Sequence, residues 1–347
     1  MATRYVLAVD GGGIRGLVPA IILQALEEER ALLGKKGSCA DCFDLIAGTS
    51  TGAIVAAGLA APSEDGKGGS RRNPTQLREL YIKRGPKIFR GRLLWALGLG
   101  PLKQLFGPRY APDSLLKVLQ DELGTVQFKD LPRNLLVPTY SIAPREAMFL
   151  HGGPRYIEME GEGTPNPFGD IVVCEALRAS TAAPTYFPPA VVRHTQSSKK
   201  YIGIDGGVFV NDPSMAAYVE ARKLFGREDD IIVVSLGTGQ QTEDYPFAKA
   251  LGWGFAEWMS PIARIRTPLL GAMMHGQTRA ATHQMGKLLG ERFFRFDFKL
   301  GSGQLGEAVS ESLDDTSKKN LKAIEETAEM LVAQERPRIA ELAALLP

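Results

Sequence analysis

Gly48, Thr49, Ser50, Thr51 and Gly52 spell GxSxG. The chemistry this spacing allows is nucleophilic. Glycines two residues either side of a serine let the backbone turn sharply, so that the hydroxyl projects from the end of a strand. A helix beginning directly after the serine points its first amides toward the same oxygen and favours negative charge there. The pattern has meaning only between a strand and a helix; otherwise it is a plain turn. Here an apolar stretch at 43–47 precedes it and a small-residue stretch at 52–61 follows.

A second glycine turn lies upstream, in Asp10, Gly11, Gly12, Gly13, Ile14, Arg15 and Gly16. Consecutive glycines expose backbone N–H groups with no side chains above them, which suits an anion. That anion could be a phosphate or the oxyanion of an acyl-transfer intermediate. A phosphate-binding loop has no need of a GxSxG turn a few dozen residues later, so the two together suggest an oxyanion hole. Arg15 is placed to steady the loop or the anion, or to stand as a surface arginine in a helix's first turn.

A serine hydroxyl is a weak nucleophile at neutral pH and needs a base. The four histidines, His151, His194, His275 and His283, lie in no motif of catalytic appearance. Asp205 ends the strand-like YIGID and is followed by Gly206 and Gly207. Its carboxylate would emerge at a strand terminus, where open α/β sheets build their sites. An Asp-Gly-Gly turn alone is common.

The elements that must position these groups alternate. Strands are expected at 4–9, 43–47, 135–140, 147–150, 201–205 and 231–236, and helices at 17–30 and 52–61. This order predicts an α/β fold with a mostly parallel central sheet flanked by helices. The polar stretch 62–74 reads as a surface loop. Residues 318–334 carry a helical pattern that Pro337 should interrupt. The expected organisation is one domain, 1–317, with core motifs at 4–240 and a basic, apolar helical insertion at about 76–115. A C-terminal helical tail, 318–347, should pack on it.

With 44% apolar and 23% charged residues in 347, the chain can bury a large core, which excludes disorder. Cys39 and Cys42 form a lone CxxC without the second pair or nearby histidines a structural zinc needs, so packing is expected of them. The N-terminus lacks the pattern of a signal peptide, and no apolar run is long enough for a membrane span. A cytoplasmic protein without metal or cofactor is the expectation.

Four segments now stand in order: DGGGIRG at 10–16, GTSTG at 48–52, RASTAAPTYFPP at 178–189 and DGG at 205–207. Together they resemble the patatin-like phospholipase family, the plant patatin and calcium-independent phospholipase A2 type, over roughly residues 4–240. VSLGTG at 234–239 is similar to a stretch of the plant-type branch. The resemblance implies a Ser-Asp dyad of Ser50 and Asp205 with no catalytic histidine. It implies an oxyanion hole on the amides of Gly11, Gly12 and Gly13 with Arg15 nearby, and an acyl pocket shaped by Ala179 to Pro188. The implied substrate is a membrane lipid or other glycerolipid ester.

Basic residues cluster without acids at Lys83, Arg84, Lys87, Arg90, Arg92, Lys103 and Arg109, and again at Arg264, Arg266, Arg279 and Lys287. Apolar residues accompany them: Ile88, Phe89, Leu93, Leu94, Trp95 and Leu97 in the first stretch, and Ile262, Ile265, Leu269, Leu270, Met273 and Met274 in the second. Such segments, 83–109 and 262–287, suit an anionic bilayer surface, or a solvated basic face over ordinary core. A pI near 8.3 without a nucleic-acid motif argues against nucleic acid. Three rivals remain: an α/β-hydrolase triad of Ser50 with Asp and His275 or His283, a nucleotide-binding protein using the DGGG loop, and a catalytically silent lipid-binding module. The first normally places several strands before its serine, whereas two precede Ser50.

Overall fold

The computed structural model describes residues 2–64, 66, 69–89, 107–240, 250–259, 268–300 and 308–347. Its strands are β1 (Thr3–Val9), β2 (Leu45–Gly48), β3 (Leu135–Ser141), β4 (Glu146–Gly152), β5 (Ala190–Arg193), β6 (Lys200–Asp205), β7 (Asp230–Leu236) and β8 (Phe293–Phe296). They form one sheet in the order β5-β6-β3-β2-β1-β7-β8, with β4 pairing β3. Pairing is parallel from β3 through β2, β1 and β7 to β8. It is antiparallel where β3 meets β4 and β6 and where β5 meets β6. The expected α/β class is what the chain adopts.

Helices are α1 (Leu17–Leu32), α2 (Thr51–Ala60), α3 (Pro74–Ile88), α4 (Pro112–Leu123), α5 (Pro154–Gly161), α6 (Val173–Ser180), α7 (Ser214–Phe225), α8 (Phe255–Met259), α9 (Pro268–Leu289) and α10 (Lys318–Leu345). The central strands feed two apolar layers by simple alternation. Leu7, Val9 and Ile46 enter the larger core with α1, α2, α3 and α10. Val6, Leu45 and Ala47 face the smaller one with Ala217, Ala221 and Met285. A strand buried on both faces needs an unbroken apolar run, which β1 has in Val6 to Val9. Each large side chain so buried contributes roughly 1.5–3 kcal/mol.

One expectation is corrected here, at the C-terminal helix. The segment from 76 to 115 is largely helical where it is described, with an apolar face in the core and Glu79, Lys83 and Lys87 exposed. Leu77, Tyr81, Ile88, Tyr110 and Leu115 are buried, and α3 starts with a capping box in which Asn73 accepts from Gln76 N while the Gln76 side chain accepts from Asn73 N. The last helix does not stop before Pro337 but runs through it to Leu345. A proline inside a helix removes a hydrogen bond and costs about 3 kcal/mol. Burial of Ile339, Leu342 and Ala343, with an Arg336–Glu29 ion pair onto α1, offsets that cost.

Candidate active site

The C-terminal ends of β1, β2 and β6 converge. β2 ends at Gly48, and the chain turns through Ser50, whose φ of 53° lies where side chains rarely go, directly into α2. Space enforces glycine at Gly52, where a Cβ would sit 2.1 Å from Val9 O. Thr49 N donates to Val9 O, and Thr49 Oγ1 donates to Val210 O. Ser50 N donates to Ser180 Oγ at 3.1 Å, and that hydroxyl donates to Pro138 O at 2.7 Å. A strained turn is thus tied on both sides, as it must be to persist.

Asp205 closes β6 opposite Thr139 in the register with β3, and its amide donates to Ala182 O. Its carboxylate takes Ser50 Oγ on Oδ2 at 2.7 Å and Gly207 N on Oδ1, also at 2.7 Å. Burial pushes its carboxyl up to about 7, while the bonds from Ser50 and Gly207 pull the other way. A carboxyl group at that value is half ionised near neutral pH, the range in which a general base works best.

Ser50 and Asp205 face a cavity walled by Ile14, Ile54, Leu80, Tyr81, Ile88, Phe89, Leu115, Thr181, Ala183, Pro184, Tyr186, Phe187, Val208, Leu270, Met274 and Leu313, among others. Among the described residues Asp205 is its one carboxyl group, and the walls these residues form are otherwise almost wholly apolar. The stretch 179–188 therefore divides its labour: Ala179 and Ala182 are buried as packing, and its later residues reach the cavity.

Gly12, Gly13 and Thr51 line the same cavity beside Ser50, and their amides make no hydrogen bond among the described residues. Gly13 has a φ of 61° and lies against Leu313 O, so only glycine fits. Two members of the expected oxyanion hole are otherwise engaged. Gly11 N donates to Asn211 O at 3.1 Å. Arg15 is buried rather than at the surface, and its guanidinium donates to the carbonyls of Thr238, Ser310 and Glu311. Burial lowers its pKa to about 10, which leaves it charged at neutral pH as a brace between the glycine loop and two later loops. Sequence reasoning missed Ser180, although it stands inside RASTAAP, and the brace partners of Arg15.

No histidine is among the residues lining the cavity. His151 stacks on Tyr156 and bonds Phe149 O; His194 bonds Asp170. His275 and His283 lie on α9. Cys39 and Cys42 are buried, and burial raises both thiols, Cys39 well above the usual range. No group of three or more potential metal ligands occurs among the described residues.

A family model described as patatin-like phospholipase matches residues 7–218. The chain belongs to that family. Patatin-like protein 2 of Arabidopsis thaliana is 32% identical to this patatin-like chain over 274 residues, covering 74% of it and 65% of the relative. Patatin-like protein 2 of Oryza sativa subsp. indica is 27% identical over 362 residues, covering 96% and 85%. Patatin-15 of Solanum tuberosum is 30% identical over 281 residues, covering 75% and 67%. Membership in a phospholipase family supports a lipid hydrolase. Thr238, Arg295 and Leu313 of this patatin-like chain lie beyond the matched residues.

The basic stretches are partly neutralised. Lys83 pairs with Glu79, Arg84 with Asp121 and Arg109 with Asp314. Ile88 and Phe89 turn inward to the cavity. Arg90, Arg92, Leu93, Leu94, Trp95, Leu97, Lys103, Ile262, Arg264, Ile265 and Arg266 lie outside the described residues. Among those described, no helix is long and apolar enough to cross a membrane.

Proposed function

We propose that the protein is a serine lipid acyl hydrolase, a phospholipase A or esterase, in which Ser50 is the nucleophile and Asp205 its base. The observation that carries this reading is the 2.7 Å bond from Ser50 Oγ to Asp205 Oδ2 at the wall of an apolar cavity.

The steps follow from that pair. Asp205 takes the Ser50 proton as Oγ attacks the ester carbonyl, and the amides of Gly12, Gly13 and Thr51 face the oxyanion. The intermediate collapses, the leaving alcohol takes the proton from Asp205, and the acyl group stays on Ser50. Water then gives a proton to Asp205 and its hydroxide to the acyl carbon. Ser50 leaves as the proton returns to it, and a fatty acid is released. The apolar wall from Ile14 to Phe187 takes the acyl chain. A phosphate held at the same loop would face that wall instead of water, which disfavours the nucleotide-binding alternative.

A glycerolipid in a bilayer fits the surroundings. On α9, Leu270 and Met274 line the cavity while Leu269 and Met273, one position before each, stand 42% and 47% exposed. That apolar rim suits peripheral contact with lipid.

The test is acyl release from mixed phospholipid vesicles and a short-chain nitrophenyl ester, comparing wild type with Ser50→Ala in the presence of chelator. Release that depends on Ser50 is expected on both substrates. Equal release from Ser50→Ala, or none from wild type, overturns the reading.

A further inference from the structure

Asp10 follows directly on β1 and leads into Gly11, Gly12 and Gly13. Its side chain is buried, and both oxygens are held by one guanidinium 285 residues away: Arg295 Nη1 donates to Oδ1 at 2.8 Å and Nη2 to Oδ2 at 2.6 Å. A bidentate pair fixes direction as well as distance. From β8, Arg295 also donates to Ser235 Oγ on β7 and to Asp297 Oδ2, and it lies 3.6 Å from Asp212 Oδ2.

Each of those carboxylates fixes a different loop. Asp297 takes the amides of Gly239 and Phe298 and the side-chain amide of Gln240. Asp212 takes Ser214 N and the Thr282 hydroxyl, seven residues after Asp205. The 237–240 loop meets the glycine loop again, because Thr238 Oγ1 donates to Gly11 O at 2.6 Å. One buried cation thus joins the glycine loop, the chain after the Asp205 turn and the loop after β7.

We infer that Arg295 is a positioning residue: through Asp10 it holds the free amides of Gly12 and Gly13 in register with Ser50, and it acts on turnover rather than on ester binding. The inference rests on the hydrolase reading above. Arg295 lies outside the residues the family model matches and is not among the residues that line the cavity. Burial works against its charge, but Asp10, Asp297 and Asp212 outweigh it, so the guanidinium stays ionised. Burial likewise pushes the Asp10 carboxyl well above its usual range, with Arg295 pulling it back. Without that guanidinium both Asp10 oxygens would lose their partner, and the side chain its reason to point at β8.

The test compares wild type, Arg295→Met and Arg295→Lys against two matched ligands, an acyl trifluoromethyl ketone and the plain methyl ketone. The first adds Ser50 and places an oxyanion at the glycine loop; the second reports cavity binding. Arg295→Met is expected to lose about 10-fold or more of the preference for the trifluoromethyl ketone, with methyl ketone affinity within about 2-fold. Its kcat on nitrophenyl esters should fall in step while KM holds. Arg295→Lys keeps the charge without the fork, provides a folded comparison and should recover part of both. A mere folding defect would lower the active fraction and leave the preference ratio of the remaining enzyme intact. An unchanged ratio in both variants overturns the positioning role. A wild-type protein without Ser50-dependent preference for the trifluoromethyl ketone overturns the hydrolase reading instead.

Discussion

Ser50 and Asp205, 155 residues apart in sequence, share one short hydrogen bond, and the carboxylate that receives it has its other oxygen on the amide of its own turn at Gly207. The Asp205 carboxylate is therefore oriented without help from a histidine, and burial raises its proton affinity.

A pH dependence follows. In the proposed reaction Asp205 must be ionised to accept the serine proton, and burial pushes its carboxyl up to about 7. Hydrolysis of a short-chain nitrophenyl ester should rise about tenfold per pH unit below that value and level off above it. Profiles of kcat/KM between about pH 5 and 9 check this. A profile already flat at the low end would show that the base titrates as an ordinary carboxylate.

The same shift trades stability for activity. The folded pKa of Asp205 is raised from 3.8 to about 7, so the stability it contributes is present below the unfolded value and is lost as pH rises through the folded one. Asp205→Asn removes that loss. It should abolish turnover and yet unfold later in urea than wild type at pH 8, by on the order of 2–4 kcal/mol at roughly 1.4 kcal/mol per unit. The advantage should shrink steadily as pH is lowered toward 4. An asparagine variant less stable than wild type at pH 8 would contradict the buried, half-charged base.

Crowding in α2 gives a paired prediction. Gly52→Ala puts a methyl 2.1 Å from a backbone carbonyl, whereas at Gly58 the nearest atom is the movable Leu77 Cδ2 at 2.8 Å. Gly52→Ala should destabilise by roughly 2–3 kcal/mol. Gly58→Ala should lie near zero, since alanine also favours the helix. Urea midpoints for the two variants decide it, and equal midpoints would mean the Ser50 turn is looser than its geometry.

Acyl length should respond to the cavity wall. Ile54 is one turn into α2 from Ser50 and lines the cavity. Ile54→Trp should cut kcat/KM for dodecanoyl nitrophenyl ester about 10-fold or more and leave the acetyl ester within about 3-fold. Parallel losses on both esters would place the acyl chain elsewhere.

Much of this arrangement could be read from residues in order. The strand, turn and helix around Ser50 are local, and DGG after an apolar strand marks Asp205 as a strand end. Other features carry no local signal. β5 and β8 are four residues each, too short for a period. Ile88 and Phe89 stand among arginines and lysines and look like a surface, yet they are cavity wall, while Lys83 and Arg84 turn to Glu79 and Asp121. Arg15 looks like an exposed first-turn arginine until the loops at 238 and 310 close over it. The Asp10–Arg295 pair leaves no trace in spacing at all.

The last third of the chain holds the first third in place. Leu313 offers its carbonyl to Ile14 N and its bulk to the cavity, Arg15 is caged by carbonyls at 238, 310 and 311, and Asp10 answers to Arg295. A fragment cut at the end of the recognisable motifs would keep Ser50 and Asp205 and yet leave the Asp10 carboxylate and the Arg15 guanidinium stranded in its interior. The smallest unit that can be grafted, swapped or inherited with its chemistry intact therefore reaches past 313.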